Sequence, residues 1–263
     1  MDETQYKSMI RSIRPRKRLG QSFLVKRYVA VAEADCCKGK RVLELGPGLG
    51  ILTEELCRIA KHVTSIEIDR NLYSFLVSNV QHGNCTIINS DFFSIEKLPK
   101  ADMMASNVPY SLSSKTLMWL VEKKIPAVLC LQKEFVDRML AKPGTEDYSK
   151  LSVFCSLQFN AAKMMTVPAD SFYPVPRVDS SIVILKPKKA RISRDELRII
   201  TLMMEHKNKK VRNAIEDSSR YLGVAKTDAR RMADSIVHCS DRVSKLEPGA
   251  LLHVARELLP HLE

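Results

Sequence analysis

Between residues 41 and 69 the chain reads strand, glycine turn, helix, strand, and few folds accept that order at this spacing. Arg41-Val42-Leu43-Glu44-Leu45 reads as a buried strand. It runs into Gly46-Pro47-Gly48-Leu49-Gly50, which opens a helix, and a second strand ends at Ile66-Glu67-Ile68-Asp69. Glu67 follows Gly50 by 17 residues. A glycine turn between a strand and a helix, then an acid at the next strand tip, forms the front half of a nucleotide-binding α/β fold. The turn G-x-G-x-G is one residue shorter than the dinucleotide fingerprint. Small residues there let the backbone approach a ligand closely. Gly46 and Gly48 therefore suit the amino-acid end of S-adenosylmethionine, with a plain strand-to-helix turn as the bland reading.

The same alternation continues downstream. Helical spacing over 71–80 leads to a strand over 84–89 that ends at Ser90-Asp91-Phe92-Phe93. A strand over 102–106, a helix over 113–121, an apolar strand over 127–131 and a helix over 133–140 follow. Beyond Pro143-Gly144 the period changes. Residues 151–159, 162–167 and 180–185 read as successive strands, so a parallel sheet is expected to finish antiparallel. Pro187-Lys188-Lys189 is the best linker, and helices are expected over 195–205, 209–217, 227–236 and 248–259. The division expected is a catalytic domain over 1–186 and a helical domain over 190–263.

Charge is unevenly placed. The net charge is +12, yet residues 1–30 carry +6 and residues 186–213 carry +7, leaving the remainder at −1. Two basic segments that mix charge with apolar residues resemble a footprint for nucleic-acid phosphates more than a uniformly basic surface. Seven cysteines occur without a C-x-x-C pair, so they are expected to be reduced and no metal site is expected. No run approaches the ~18 apolar residues of a membrane span. A cytoplasmic location follows as the expectation.

Three side chains then define a chemistry. Glu67 is placed to accept ribose hydroxyls, a role that serves NAD equally well. Asp91 at the next strand tip would accept from an adenine amino group, with Phe92 against the ring. Asn107-Val108-Pro109-Tyr110 ends the following strand and suits methylation of a planar exocyclic amine. Such a nitrogen is a poor nucleophile, because its lone pair is delocalised into the ring. The Asn107 side-chain oxygen and the Pro109 carbonyl can accept its two protons and draw it towards a tetrahedral geometry. Pro109 fixes the turn, and Tyr110 offers a stacking face worth ~1–3 kcal/mol per base.

Further motifs accompany these: Arg18-Leu19-Gly20-Gln21-Ser22-Phe23-Leu24, Leu131-Gln132-Lys133-Glu134 with Arg138, Tyr148-Ser149-Lys150-Leu151-Ser152-Val153, Phe172-Tyr173-Pro174-Val175-Pro176-Arg177-Val178-Asp179-Ser180-Ser181, and Lys207-Asn208-Lys209-Lys210-Val211-Arg212-Asn213. In this order they resemble the small-subunit ribosomal RNA adenine dimethyltransferases of the KsgA type, over nearly the full length. The resemblance implies a Rossmann-like class I methyltransferase domain with a small all-α C-terminal domain and an RNA-binding cleft. It implies N6,N6-dimethylation of two adjacent adenines near the 3′ end of small-subunit rRNA, with S-adenosylmethionine as methyl donor. An immature small ribosomal subunit would be the partner, and the enzyme a monomer. Phe172 would be the second stacking wall, opposite Tyr110. Leu24 and its neighbours would close over the cofactor, with Ser22 standing where the family commonly has Asn. Arg16, Lys17, Arg18, Lys207, Lys209, Lys210 and Arg212 would contact RNA. The alternatives are an assembly factor in which methylation is secondary, and a large-subunit rRNA adenine methyltransferase.

Overall fold

The computed structural model describes residues 9–10, 21–189 and 192–262. Up to the middle of the chain the elements are β1 (Phe23–Leu24), α1 (Arg27–Asp35), β2 (Arg41–Leu45), α2 (Ile51–Ile59), β3 (His62–Glu67), α3 (Arg70–Asn79) and β4 (Cys85–Asn89). Next come β5 (Met103–Asn107), α4 (Ser113–Lys123), β6 (Ala127–Gln132), α5 (Lys133–Met139), α6 (Lys150–Gln158), β7 (Phe159–Val167), β8 (Phe172–Tyr173) and β9 (Ser180–Pro187). Five helices complete the chain: α7 (Arg194–Glu205), α8 (Val211–Asp217), α9 (Ser219–Leu222), α10 (Lys226–Asp234) and α11 (Pro248–Leu258). Of the described residues, those up to Val136 with Ala161–Pro187 form one compact unit, and Asp137–Asn160 with those from Lys188 onward form another.

In the first unit seven strands lie in the order β4-β3-β2-β5-β6-β9-β7. From β4 to β6 every pairing is parallel, and β9 returns antiparallel to β6. Strands β2, β3 and β6 are buried along nearly their whole length, as strands of a parallel sheet covered on both faces are. Chain order reverses between β2 and β5. Ligands of open α/β sheets bind outside the carboxyl ends of the strands at such a switch point. The glycine turn, Glu67, Asp91 and Asn107 all follow carboxyl ends, so one edge of the sheet collects them. A separate two-stranded ribbon pairs β1 with β8, setting Leu24 opposite Phe172.

Local chemistry explains the element boundaries. Gly46, Gly48 and Gly50 all take positive φ, between 62° and 84°, a region that costs a side-chain-bearing residue ~1–2 kcal/mol. Asp69 caps α3 by accepting from the Asn71 backbone N–H at 2.9 Å. Beneath the turn, the buried Glu44 carboxylate accepts from Thr53 Oγ1 (2.8 Å) and Ser65 Oγ (2.5 Å), tying β2 to α2 and β3. Burial pushes its pKa up to about 7.

One strand expected from sequence is a helix. Residues 151–159 form α6 over Lys150–Gln158 instead. A continuous apolar run cannot separate a buried strand from a buried helix by periodicity. The cap decides it, since the Ser149 backbone N–H donates to Ser152 Oγ at 2.9 Å. Tyr148, Val153 and Leu157 of this segment pack in the core of the second unit with Ile199, Met203, Leu251 and Ala255. Residues 137–160, read above with the first domain, therefore group with the C-terminal helices.

The basic helix also starts later than expected. Helix α8 begins at Val211, and residues 207–210 run alongside 242–244. The Val243 N–H donates to the Lys209 carbonyl (3.0 Å), that of Ser244 to Lys207 (2.8 Å), and that of Val211 to Asp241 (2.9 Å). The segment is a turn, closed by the Lys209 N–H on the His206 carbonyl at 2.8 Å, and these partners hold it short of a helix. Among the described residues no helix is long and apolar enough to cross a membrane.

Candidate active site

At the carboxyl ends of β2 to β5 the first unit encloses a cavity of about 260 Å³. Its wall includes Ser22, Gly46, Gly48, Glu67, Asp91, Asn107, Pro109, Tyr110 and Phe172. Nearly every cofactor and base contact expected from sequence is therefore brought to one space. Leu24 is the exception. It lies 4 % exposed in the core behind the wall, and its neighbour Phe23 lines the cavity in its place.

Glu67 is almost fully enclosed. Its carboxylate accepts the N–H of Gly48 at 3.2 Å and that of Asp69 at 2.8 Å. Burial raises its pKa, while those N–H groups pull the other way. The two hydrogen bonds set the carboxylate angle and leave further lone pairs for hydroxyl donors. Asp91 accepts from the Phe93 N–H at 3.0 Å, capping the turn at Phe92–Ser94. Phe92 is 2 % exposed and held edge-on between Phe93 and Trp119, with centroids at 5.2 and 5.0 Å. Gly46 has open space where a Cβ would stand.

The tetrapeptide at the end of β5 is shaped by its neighbours. The Ser106 hydroxyl donates to the Leu45 carbonyl at 2.6 Å, and the Val108 N–H to that of Cys130 at 3.2 Å. The Pro109 carbonyl receives the Leu112 N–H at 2.7 Å, closing a 3₁₀ turn over Tyr110–Leu112. Tyr110 Oη and Ser180 Oγ are 2.9 Å apart. Against this background one atom stands out. The Asn107 Oδ1 atom is buried and has no hydrogen-bond partner. An unmet buried acceptor costs ~1–3 kcal/mol, so a binding partner for it is the natural explanation.

Phe172 is 4 % exposed and reaches the cavity from β8. Ser22 borders the same space, but its hydroxyl donates to the Pro174 carbonyl at 2.6 Å. That bond ties the segment before β1 to the residue after β8.

Comparison with known proteins adds the family. A model described as "Ribosomal RNA adenine dimethylase" matches residues 13–258. The chain belongs to this family. A Pyrococcus abyssi protein named "Probable ribosomal RNA small subunit methyltransferase A" is 36% identical over 256 residues, covering 95% of this chain and 94% of its own length. One of the same name from Pyrococcus furiosus is 36% identical over 243 residues, covering 89% and 88%. Among solved structures, a dimethyladenosine transferase from Plasmodium falciparum has a TM-score of 0.76 at 26% identity, covering 90% of this chain and 98% of its own. The 23S rRNA methyltransferase ErmE has a TM-score of 0.64 at 26% identity, covering 90% and 99%. This dimethylase is thus a Rossmann-like α/β methyltransferase with a helical C-terminal region.

The RNA contacts expected from charge fare differently from one another. Arg16, Lys17 and Arg18 lie outside the described residues. Lys207 Nζ donates to the Glu146 and Tyr148 carbonyls, at 3.0 and 2.8 Å. Lys209 pairs with Asp217 at 2.5 Å and Arg212 with Asp234 at 3.4 Å. Lys210 stands at the start of α8, its backbone bridged to Arg242. Three of these four cations therefore already have protein partners, and Lys207 serves its own unit's loop. The sequence reading also passed over Ile68, Lys115 and Ser180, all of which line the cavity. Lys115 Nζ lies 4.2 Å above the Phe93 ring. Ser180 sits within the Phe172–Ser181 motif and Ile68 beside Glu67, whereas nothing local marks Lys115.

Gly48 provides a test of the turn. A Cβ there would come within 2.9 Å of Phe23 Cδ1 at a φ of +62°. Gly48→Ala should push Phe23 into the cavity and weaken S-adenosylmethionine binding by about tenfold or more, for a strain of ~1–2 kcal/mol. Calorimetric titration reads the loss directly. Unchanged affinity would mean that Phe23 yields without touching the site.

Proposed function

We propose that this dimethylase transfers methyl groups from S-adenosylmethionine to the N6 amine of two adjacent adenines near the 3′ end of small-subunit rRNA. The observation that carries the reading is the orphaned Asn107 Oδ1 atom in the cavity wall. An exocyclic amine supplies the donor it lacks, and so does no other group in that wall.

The residues present fit the cofactor. Glu67 would accept the ribose hydroxyls and Asp91 the adenine amino group, with Phe92 near the ring. The space at Gly46 would admit the amino-acid end. When bound, the group supplies an electrophilic methyl on a sulfonium. Everything else falls to the chain. Asn107 Oδ1 would accept a hydrogen bond from one amine N–H, and the proton displaced when the N–C bond forms and the S–C bond breaks would leave to water. The Pro109 carbonyl, which already receives Leu112, has a second lone pair for the other N–H. Holding both protons out of the base plane localises the nitrogen lone pair. Tyr110 and Phe172 would stack against the base and aim that lone pair along the line of transfer. A second methylation needs the same stacking walls with only one proton left to hold.

The partner in this reading is an immature small ribosomal subunit, met by a monomer in the cytoplasm. The free thiols of all seven cysteines accord with a reducing compartment. Lys210, and Arg16, Lys17 and Arg18 from the other basic segment, are the cations proposed to meet phosphates. Lys207, Lys209 and Arg212 would do so only by leaving or sharing their present partners. The small-subunit names of the Pyrococcus relatives favour that substrate over the 23S rRNA activity of ErmE.

Mapping of dimethyladenosine in rRNA, with and without the protein, tests this. Both modified adenines near the small-subunit 3′ end should disappear when the chain is removed and return with the wild-type copy. Loss of a large-subunit modification instead would establish the second reading. Retention of every modification, with small-subunit maturation impaired, would leave only the assembly role.

A further inference from the structure

Tyr110 and Ser180 are 70 residues apart, yet their hydroxyl oxygens lie 2.9 Å from each other. Ser180 opens β9, with its backbone opposite Gln132 in the antiparallel register with β6. It is 0 % exposed and contributes to the wall of the cavity. Its neighbour across that wall is Cys130, whose backbone stands opposite Asn107 between β5 and β6. Burial holds the Cys130 thiol well above its ordinary value while a hydrogen bond with Ser180 pulls the other way, so the Ser180 hydroxyl is shared between Cys130 and Tyr110.

The contrast with Tyr110 matters. Tyr110 lies in a short 3₁₀ turn over Tyr110–Leu112, outside the strands of the sheet, and its ring is only half-buried. Left alone, such a ring can turn about two side-chain torsions. Ser180 sits in the sheet between β6 and β7 and cannot move with the turn. A hydrogen bond to the ring's far end removes both torsions at once. Sites perform best when the contacting side chain is locked by a partner on a rigid element.

We propose that Ser180 is a positioning residue, which holds Tyr110 by its phenolic oxygen so that the stacking face is set before the base arrives. This rests on the proposed adenine methylation, since it assigns Tyr110 to the base. Ser180 itself does not touch the reacting atoms.

The experiment is a double-mutant cycle on Ser180→Ala and Tyr110→Phe, read by thermal unfolding and by single-turnover methyl transfer. The Phe ring keeps its stacking face and loses only the hydroxyl. Each single variant should slow transfer about 3- to 10-fold, the effect of one neutral hydrogen bond. Cofactor affinity should stay unchanged in both, which a general structural defect would not allow. The double variant should be no slower than the slower single variant, because both changes remove the same bond. Effects that multiply in the double variant, or a wild-type rate for Ser180→Ala, overturn the proposal. The unfolding cycle separates the two levels. Coupling in stability with no methyl transfer by the wild type would retain the bond and reject the methylation reading. No coupling in stability removes the bond itself.

Discussion

Asn107→Ala should slow methyl transfer about 10²- to 10³-fold while S-adenosylmethionine affinity stays within a few fold. The magnitude is that of removing one preorganised polar group whose partner gains most in the transition state. In the ground state an amine bound by Oδ1 exchanges one hydrogen-bond acceptor for another. As the nitrogen becomes tetrahedral its protons grow more acidic, and the bond to Oδ1 strengthens. The free enzyme bears a cost for this arrangement, since Oδ1 is buried without a partner. The variant should therefore be no less stable than the wild type, against the usual direction for a truncation in a packed site. Single-turnover rates, calorimetric titration and thermal unfolding on the same preparation give the three quantities. Equal losses in rate and cofactor affinity would make Asn107 a cofactor ligand first. A drop in stability would mean that Oδ1 has a partner in solution.

The second large effect belongs to Glu67. Glu67→Ala should weaken cofactor binding about 10- to 100-fold, as charge-assisted hydrogen bonds to the ribose are worth ~1.5–3 kcal/mol. Part of that loss is indirect. The carboxylate also accepts the N–H of Gly48 and Asp69, so its removal frees the glycine turn. Glu67→Gln separates the contributions, because the amide oxygen can keep one backbone N–H while the negative charge goes. An intermediate affinity for Gln is expected. If Gln binds as the wild type does, charge is irrelevant and Glu67 is only a brace for the turn.

What could be read locally came through intact. Strand β2, the glycine turn, the acids at the ends of β3 and β4 and the tetrapeptide after β5 each carry their signal within a few residues. A glycine turn, a Pro-fixed turn and a short strand are local properties, so the residues themselves declare them. The order of strands and helices then forces the switch point between β2 and β5, which gathers the acids and Asn107 at one edge. The α/β class and the gathering of these residues in one cavity were legible for that reason.

Tertiary structure decided what depends on partners distant in sequence. The run 151–159 is equally apolar as strand or helix, and only the Ser149 cap and the core around Tyr148 and Met203 select α6. Charge placed Lys207 among phosphate ligands, whereas the carbonyls of Glu146 and Tyr148, some 60 residues earlier, occupy its ammonium. Leu24 and Phe23 are adjacent, and strand pairing sends Phe23 to the cavity and Leu24 to the core, because successive side chains of a strand face opposite ways. Ser180 meets Tyr110 only through the register of β9 on β6, which brings the two hydroxyls within 2.9 Å. A sequence determines which chemistry a chain can hold and where its turns fall. Packing determines which of its polar groups are already spoken for and which, like Asn107 Oδ1, are left without a partner.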